Sequence, residues 1–508
     1  MDRDEYEGLI RRLEAEADNQ PTAFRGKVML ISSAAYVVLF AILFAALLLI
    51  YFGFNWAYAK QRVRDLIYLG LFALVMLPVF FVVLRVFFMR LTPPAGRAIV
   101  RKDAPQLFKV LDKMRKRLKG PQIHRVLIDR EFNAAISQVP RWGLFGGHTN
   151  YLILGLPYLL GVTSKEMLAT VAHEYGHLCG NHGKIGAWVY RQRRTFGALR
   201  EQIDGGVENS WVYAGMAAAI DRFAPYYNAY TFVLSRQDEF EADLTATELA
   251  GADHNASSLI RGELLARWMQ EEFWPKFYKQ ADASAQPVFK PFTAMRTAFG
   301  ASYDYWATPQ RLTAAWLEKS DLHDTHPCLR ERVQATGETA TLPRPVKVTA
   351  AEALLGPTAK RLAEEFDQAW WKEEKNRWTA RHHYVLRSRQ RLQELSVLSL
   401  DALALHDLQE LALLKAEFES AQASKPVLEH LLGQPGGPFP KPAFFYGRIL
   451  LDEGNEDGLD HLADAARFDK NLIDEVARIG YYYILEKGDD EAAQAWWANM
   501  MRTKGDEE

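Results

Sequence analysis

The sequence predicts a mainly α-helical protein with an N-terminal transmembrane helical hairpin, an α+β middle domain and a C-terminal helical-repeat domain. Two long uncharged runs near the N-terminus indicate the hairpin, and short apolar strands among helices indicate the middle domain. A weak internal repetition at about 33 to 34 residues indicates the helical repeats. At 508 residues the chain is too long for one core. We expect five segments: 1–27 as an N-terminal segment, 28–90 as two transmembrane helices, 91–335 as the α+β domain, 336–395 as a helical connector and 396–508 as the repeat domain.

The two uncharged runs extend from residue 28 to 54 and from residue 66 to 84, and each is long enough to cross a bilayer. Basic residues flank both ends of the hairpin and modestly outnumber those in the connecting loop, which favours an N-in, C-in topology. The sequence thus predicts an integral membrane protein of the bacterial inner membrane, in contact with the lipid bilayer, with everything after residue 90 in the cytoplasm. A third apolar stretch, 211–234, contains central charges, so we expect a buried or interfacial helix there, with partial immersion in the membrane as the alternative.

The overall composition excludes two broad classes of protein. The formal net charge of −2 gives no basic excess for a nucleic-acid partner. The two cysteines, Cys179 and Cys328, are too few for a disulfide scaffold and fit a reducing compartment. We interpret both as small core residues.

Residues 163–178 contain the motif H-E-x-x-H on a predicted helix, which Thr163 and Glu166 would start with a capping box. His173 and His177 are four residues apart, so their imidazoles project from one face and can take two corners of a tetrahedral zinc site. The carboxylate of Glu174 can accept a proton from a metal-bound water as that water attacks a carbonyl. The competing interpretation, a polar stripe on a surface helix, is disfavoured because two unliganded imidazoles would be costly to bury.

A catalytic zinc site needs a further protein ligand, and an acidic cluster follows about sixty residues downstream. Its four carboxylates belong to Asp238, Glu239, Glu241 and Asp243, and spacing alone does not choose among them. Glu239 and Asp243 share a helical face, so one could bind the metal while the other accepts the free N–H of a ligand histidine.

Residues 235–243 have the pattern S-R-x-x-E-[FY]-x-A-D, an Asn-Ala pair begins at Asn133, and a T-H-P…E-R element occupies residues 325–332. With the H-E-x-x-H motif, these elements resemble the membrane metallopeptidase family of the HtpX heat-shock protease and the CAAX prenyl protease, which are H-E-x-x-H gluzincins. The resemblance covers about residues 70–335.

The resemblance implies a zincin-type peptidase domain with one Zn²⁺ per chain. By carry-over, His173, His177 and Glu239 hold the zinc, Glu174 is the general base, and Asp243 supports a ligand. A role in membrane-protein quality control or processing is a further implication of the family.

Two more residues are expected nearer the substrate. His326 resembles a family position near the active site and would bind substrate or stabilise an oxyanion, with a buried structural histidine as the alternative. Asn133 begins one of two apolar strand segments and would contribute to substrate binding. An edge strand beside the metal helix could pair with an extended substrate through main-chain hydrogen bonds, although strands that only complete a small sheet are an equal alternative.

The C-terminal region carries the internal repetition, in which residues 446–455 echo residues 479–489. The spacing is typical of tetratricopeptide-like (TPR-like) helix-turn-helix units, which stack into a groove that could bind a protein partner. An ordinary helical bundle is the alternative.

Together these patterns predict a membrane-anchored zinc-dependent endopeptidase acting on protein or peptide substrates. The alternative is a membrane-tethered binding or assembly protein whose metal site is structural and whose helical repeats bind partners. The presence of Glu174 favours the enzyme, because a structural site needs ligands but no base.

Overall fold

The computed structural model describes residues 3–60, 63–88, 92–141, 147–179, 189, 192–193, 197, 200, 211–320 and 326–505. The chain divides into two compact units. Unit 1 comprises Met1–Phe277 and Phe289–Glu373, and unit 2 comprises Tyr278–Val288 and Glu374–Glu508. Helices dominate both units, so the prediction of a mainly α-helical protein with a small sheet is confirmed.

The described part of unit 1 contains the strands and the longest helices. Its helices are α1 (Arg3–Asn19), α2 (Pro21–Lys60), α3 (Val63–Phe88), α4 (Pro105–Leu118), α5 (Leu156–Gly161), α6 (Ser164–Gly176), α7 (Trp211–Ala250), α8 (Ala252–Trp268), α9 (Trp274–Tyr278), α10 (Pro291–Ala301), α11 (Tyr303–Trp306), α12 (Pro309–Leu317), α13 (Leu329–Ala335) and the first part of α14 (Pro357–Ser396). Two short π-helical turns, Met269–Phe273 and Ala351–Leu355, accompany them.

The predicted transmembrane hairpin over residues 28–90 is wrong. Within the described ranges, none of the helices has the length and apolar character that crossing a bilayer requires. The beginning of the first predicted span instead packs against protein: Val28 and Ser32 of α2 are fully buried, and Ser32 accepts a hydrogen bond at its carbonyl from Gln192. The bilayer contact and the inner-membrane location stay untested predictions.

The N-terminal helices cover one side of α7, the 40-residue helix that carries the acidic cluster. Ile10 and Leu13 of α1 join Phe24 and Val28 of α2 in a core with the α7 residues Ala229, Phe232, Val233 and Leu234. The 211–234 stretch is therefore the first part of a longer helix, and the apolar residues from Ala229 to Leu234 at its end are buried against protein.

Unit 1 holds a four-stranded sheet in its described part, with strands β1 (Arg97–Ile99), β2 (Arg125–Asp129), β3 (Ala134–Pro140) and β4 (His148–Gly155). The strand order is β1-β2-β4-β3, with β2 and β4 parallel and the other neighbours antiparallel. Ala134 pairs with Leu154 and Pro140 with His148. One side of β3 is therefore the edge of the sheet, and that edge faces α6.

The described part of unit 2 is helical. It contains the remainder of α14, then α15 (Leu405–Phe418), α16 (Ala421–Leu432), α17 (Pro440–Asp452), α18 (Asp457–Phe468), α19 (Ile473–Glu486) and α20 (Asp490–Gly505). Consecutive helices pack as pairs. Gly447 of α17 lies so close to α18 that a Cβ there would be 2.7 Å from the carbonyl oxygen of Gly458, so these two helices need glycine where they meet.

Candidate metal centre and catalytic site

The helix that carries H-E-x-x-H, α6, is fixed at its start. The predicted capping box is present: Thr163 accepts a hydrogen bond from Glu166 N at its hydroxyl, and the Glu166 carboxylate accepts one from Thr163 N at 2.8 Å. The same carboxylate accepts hydrogen bonds from Arg261 Nε at 3.0 Å and Ser257 Oγ at 2.6 Å. Glu166 and Arg261 are 2% and 1% exposed, so this is a buried ion pair that joins α6 to α8.

The helix ends earlier than the sequence suggests. Gly176 is its last residue and His177 is the C-cap. In the sequence, the first glycines after the motif that could stop the helix are Gly180 and Gly183. Residues 180–188 lie outside the described ranges. Because His177 is at the helix terminus, its backbone still follows the helical path, and the i to i+4 relation with His173 is retained.

His173, His177 and Glu239 come together as the sequence predicts. Their ligand atoms all lie within 4.8 Å of one another. His173 Nε2 is 3.5 Å from one Glu239 carboxylate oxygen, and His177 Nε2 is 3.4 Å from the other. Two imidazole nitrogens and a carboxylate oxygen converging in this way form a donor set that could hold a metal ion, and they match the three-ligand composition of a catalytic zinc site.

Asp243 lies one turn after Glu239 on α7 and supports His173. Its Oδ1 is 2.8 Å from His173 Nδ1, and Asp243 is 1% exposed. This contact orients the ring so that Nε2 faces Glu239. Of the four carboxylates that spacing left open, the structure brings Glu239 to both histidines and Asp243 to the back of one of them.

Arg332 completes this support and was missed by reasoning from the sequence. It donates to both carboxylate oxygens of Asp243, at 2.9 Å through Nε and at 2.8 Å through Nη2. Burial raises the pKa of Asp243, but Arg332 and His173 outweigh it and hold that pKa below its usual value. The available signal was the Glu-Arg pair of the T-H-P…E-R element, whose function the sequence alone did not reveal.

The electrostatics of the cluster favour a bound cation. Burial lowers the pKa of His173, but its hydrogen bonds to Asp243 and Glu239 raise that pKa to about 9. Burial raises the pKa of Glu239, yet contacts with His173, His177 and His326 hold it well below its usual value. Asp243 and Glu239 therefore stay ionised, and their negative charges stabilise a positive charge at the histidines. A bound metal ion would supply that positive charge in place of a proton.

Glu174 is half-buried beside the free edge of β3. Its Oε2 accepts a hydrogen bond of 3.3 Å from the main-chain N–H of Ile136. In an antiparallel ladder, alternate residues direct their main-chain groups away from the partner strand, so Ala134 and Gln138 share this outward position with Ile136. The predicted general base thus lies where an extended chain added to β3 would pass.

The other two predicted residues have different surroundings. His326 is exposed, and its Nδ1 is 2.9 Å from Glu239 Oε2, so it contacts a metal-ligand candidate. Asn133 is at the start of β3, where its Oδ1 accepts a hydrogen bond from Ala134 N at 2.7 Å. The structure does not place Asn133 in contact with the histidines or Glu239.

Two further sets of ion pairs hold the part of α7 that carries Glu239. Reasoning from the sequence did not predict either of them. Arg236 donates to Glu331 of α13 at 2.8 Å, and Arg25 of α2 donates to Glu241 at 2.5 Å while lying 3.6 Å from Asp238. Burial raises the pKa of Asp238 to about 7. These pairs anchor α7 on both sides of Glu239.

This arrangement places unit 1 in the class of metallopeptidases. Residues 145–340 match the model of Peptidase family M48, and this range includes the H-E-x-x-H helix, the acidic cluster and Arg332. The match indicates a peptidase, and metal dependence agrees with the His-His-Glu cluster. No curated protein and no solved structure matches the chain. The match ends at residue 340, and the TPR-like assignment of the C-terminal region is not supported.

Proposed function

We propose that this chain is a zinc-dependent endopeptidase of the HtpX and CAAX-protease type, with His173, His177 and Glu239 as the zinc ligands. The observation that carries the proposal is the position of Glu174, which follows the ligand candidate His173 in α6 and contacts the edge strand β3 through Ile136 N. Zinc in such a site lowers the pKa of water and polarises a carbonyl oxygen. Binding the substrate, transferring the proton and orienting the histidine ligands are the tasks of the protein's own residues.

In the proposed reaction, the substrate adds to β3 as an extended strand and presents a peptide carbonyl near the cluster. Glu174 accepts the proton of the attacking water and then delivers it to the leaving amine. Asp243, held by Arg332, keeps His173 in the tautomer whose Nε2 is free. Main-chain pairing with β3 would make cleavage tolerant of side-chain sequence close to the scissile bond.

The alternative, a binding protein with a structural metal site, fits the structure less well. A structural site would need no carboxylate at Glu174, and it would not need an open strand edge next to the metal ligands. A protein partner at the C-terminal helices and a role in quality control or processing stay predictions.

The first experiment measures metal content by elemental analysis and casein cleavage on the same samples. Wild type is compared with Glu239→Ala, and Glu248→Ala serves as the matched control, because Glu248 is an exposed glutamate on the same helix. We expect about one zinc per chain in wild type and control, with zinc and cleavage lost together in Glu239→Ala. Full zinc content in Glu239→Ala would show that another carboxylate is the ligand, and wild type without zinc would favour the binding protein.

A further inference from the structure

We propose that a cavity beside the start of β3 is a specificity subsite that accepts an aromatic or bulky apolar side chain of the substrate. The proposal rests on the peptidase function proposed above, because it assumes an extended substrate paired with β3. It adds a selective position at a distance from the scissile bond, where main-chain pairing alone would give none.

The cavity lies within unit 1 and has a volume of about 540 Å³. This is within the range of about 300–1,000 Å³ that is typical of ligand sites in proteins. Its apolar wall includes Phe132, Met269, Trp274, Phe292 and Trp370. Three of these, Met269, Phe292 and Trp370, are at most 5% exposed, so the floor of the cavity is part of the packed core.

Ring contacts hold the wall in place. Phe132 packs edge-to-face on Tyr158 and Phe299, and Trp274 packs edge-to-face on Phe292. Aromatic rings in such arrangements have little freedom to collapse into the empty volume. The wall is therefore preformed, and an entering aromatic side chain can make the same edge-to-face contacts.

The charged pair at the rim does not select for charge. Arg130 donates to both carboxylate oxygens of Glu373, at 2.8 and 3.2 Å, so the two side chains neutralise each other. Asn133 and Gln270 are uncharged amides at the mouth. The exposed Glu131 also lines the cavity, so polar groups accompany the apolar wall, and an apolar side chain would gain its affinity from burial against that wall.

The loop that connects β2 to β3 fixes the position of the cavity relative to β3. The loop 130–133 passes the end of β4, where Gly155 N donates to Asn133 O at 2.7 Å. A Cβ at Gly155 would be 1.7 Å from the carbonyl oxygen of Glu131, so the crossing requires glycine at this position. Asn133 therefore lines the cavity and immediately precedes β3.

The distance along the strand sets the position of the subsite in the substrate. Asn133 is three residues from Ile136, whose N–H contacts Glu174. At about 3.3 Å per residue in a strand, the cavity is about 10 Å from the base along β3. A substrate side chain three or four residues from the scissile bond would therefore reach it.

The test uses a peptide library digested by the full-length, zinc-loaded protein, with cleavage sites read by mass spectrometry on both sides of the scissile bond. Gln270→Trp places a large side chain at the exposed mouth of the cavity. Gln310→Trp is the matched control, because Gln310 is an exposed helical glutamine that does not line the cavity. We expect wild type and control to prefer Phe, Tyr, Trp or Leu over Ala about tenfold at one position three or four residues from the cut. Gln270→Trp should lose that preference and still cleave the library.

The outcomes separate the two proposals. Cleavage without an apolar preference at that distance, or a preference unchanged in Gln270→Trp, would overturn the subsite and leave the peptidase standing. A preference for Lys or Arg would also overturn it, since the exposed Glu131 would then be the selective group. If the zinc-loaded wild type cuts no more peptides than a sample without protein, the peptidase function itself fails, and the subsite fails with it.

Discussion

The two ends of α6 carry glutamates with opposite surroundings. Glu166 at the start is 2% exposed, and its carboxylate accepts hydrogen bonds from Thr163 N, Ser257 and Arg261. Glu174 at the end is half-buried, and its carboxylate accepts a single long hydrogen bond from Ile136 N within the described structure. The same residue type is thus structural at one end of the helix and available for proton transfer at the other.

The difference shows that the hydrogen-bond and ion-pair partners of a carboxylate determine whether it is structural or able to transfer protons. A fully satisfied, buried carboxylate stabilises the fold because any change leaves a charge or a donor without its partner. A carboxylate with spare acceptor capacity next to a metal cluster can exchange protons. If this comparison is correct, substitutions at the two ends must separate activity from stability.

The largest expected effect is on activity at the end of the helix. Glu174→Gln keeps the shape of the side chain but cannot accept a proton, so we expect cleavage to fall by about 10²- to 10⁴-fold. Zinc content and thermal stability should stay at the wild-type level, because Glu174 belongs to neither the ligand set nor the core. Casein cleavage, elemental analysis and thermal melting measure the three quantities. Cleavage within twofold of wild type would mean that another group is the base.

The next largest effect is on stability at the start of the helix. Glu166→Gln leaves Arg261 charged and buried without its carboxylate, so we expect the free energy of unfolding to fall by about 3–5 kcal/mol. Glu263→Gln is the matched control, since Glu263 pairs with Arg267 near the surface and should contribute less than about 1 kcal/mol. Denaturant unfolding of zinc-free protein measures both. Equal losses of unfolding free energy in the two variants would show that the buried ion pair stabilises the fold no more than the surface pair does.

The sequence predicted the start and chemistry of this helix because both depend on short spacing. The Thr163–Glu166 capping box and the four-residue separation of His173 and His177 are local relations that a helix converts directly into geometry. The choice of Glu239 came from the family resemblance, since four neighbouring carboxylates were equally available by spacing.

The supporting residues could not be found in this way. Arg332 and Asp243 are 89 residues apart, and Arg25 and Glu241 are 216 residues apart, so their pairing depends on the tertiary fold. The transmembrane prediction failed for a related reason. Hydropathy records the apolar character of Val28 but does not show that α1 and α7 cover it.

A smaller effect, on zinc affinity, is expected for the residues that orient His173 on α6. Arg332→Lys keeps the charge but cannot donate to both oxygens of Asp243, so His173 would lose part of its orientation. We expect zinc affinity, measured by competition with a chelator, to fall about 10- to 100-fold. Arg236→Lys is the control, because Arg236 anchors the same helix through Glu331 without contacting Asp243 or His173. Equal losses in both variants would assign Arg332 a purely structural role.

The smallest expected effect is the acid response of the start of α6. Burial raises the pKa of Glu166, but Arg261, Ser257 and Thr163 N outweigh it, so the pKa in the folded state is lower than usual. The stabilising contribution of Glu166 is then fully present above the unfolded pKa of about 4.3 and is lost as the pH falls through the folded value. In zinc-free protein, the difference in unfolding free energy between wild type and Glu166→Gln should be constant from about pH 8 to about pH 5 and shrink in stronger acid. Groups common to both proteins cancel in that difference. A difference that grows as the pH falls would mean that the folded state binds the proton more tightly than the unfolded chain, and the ion pair would then not determine the charge of Glu166.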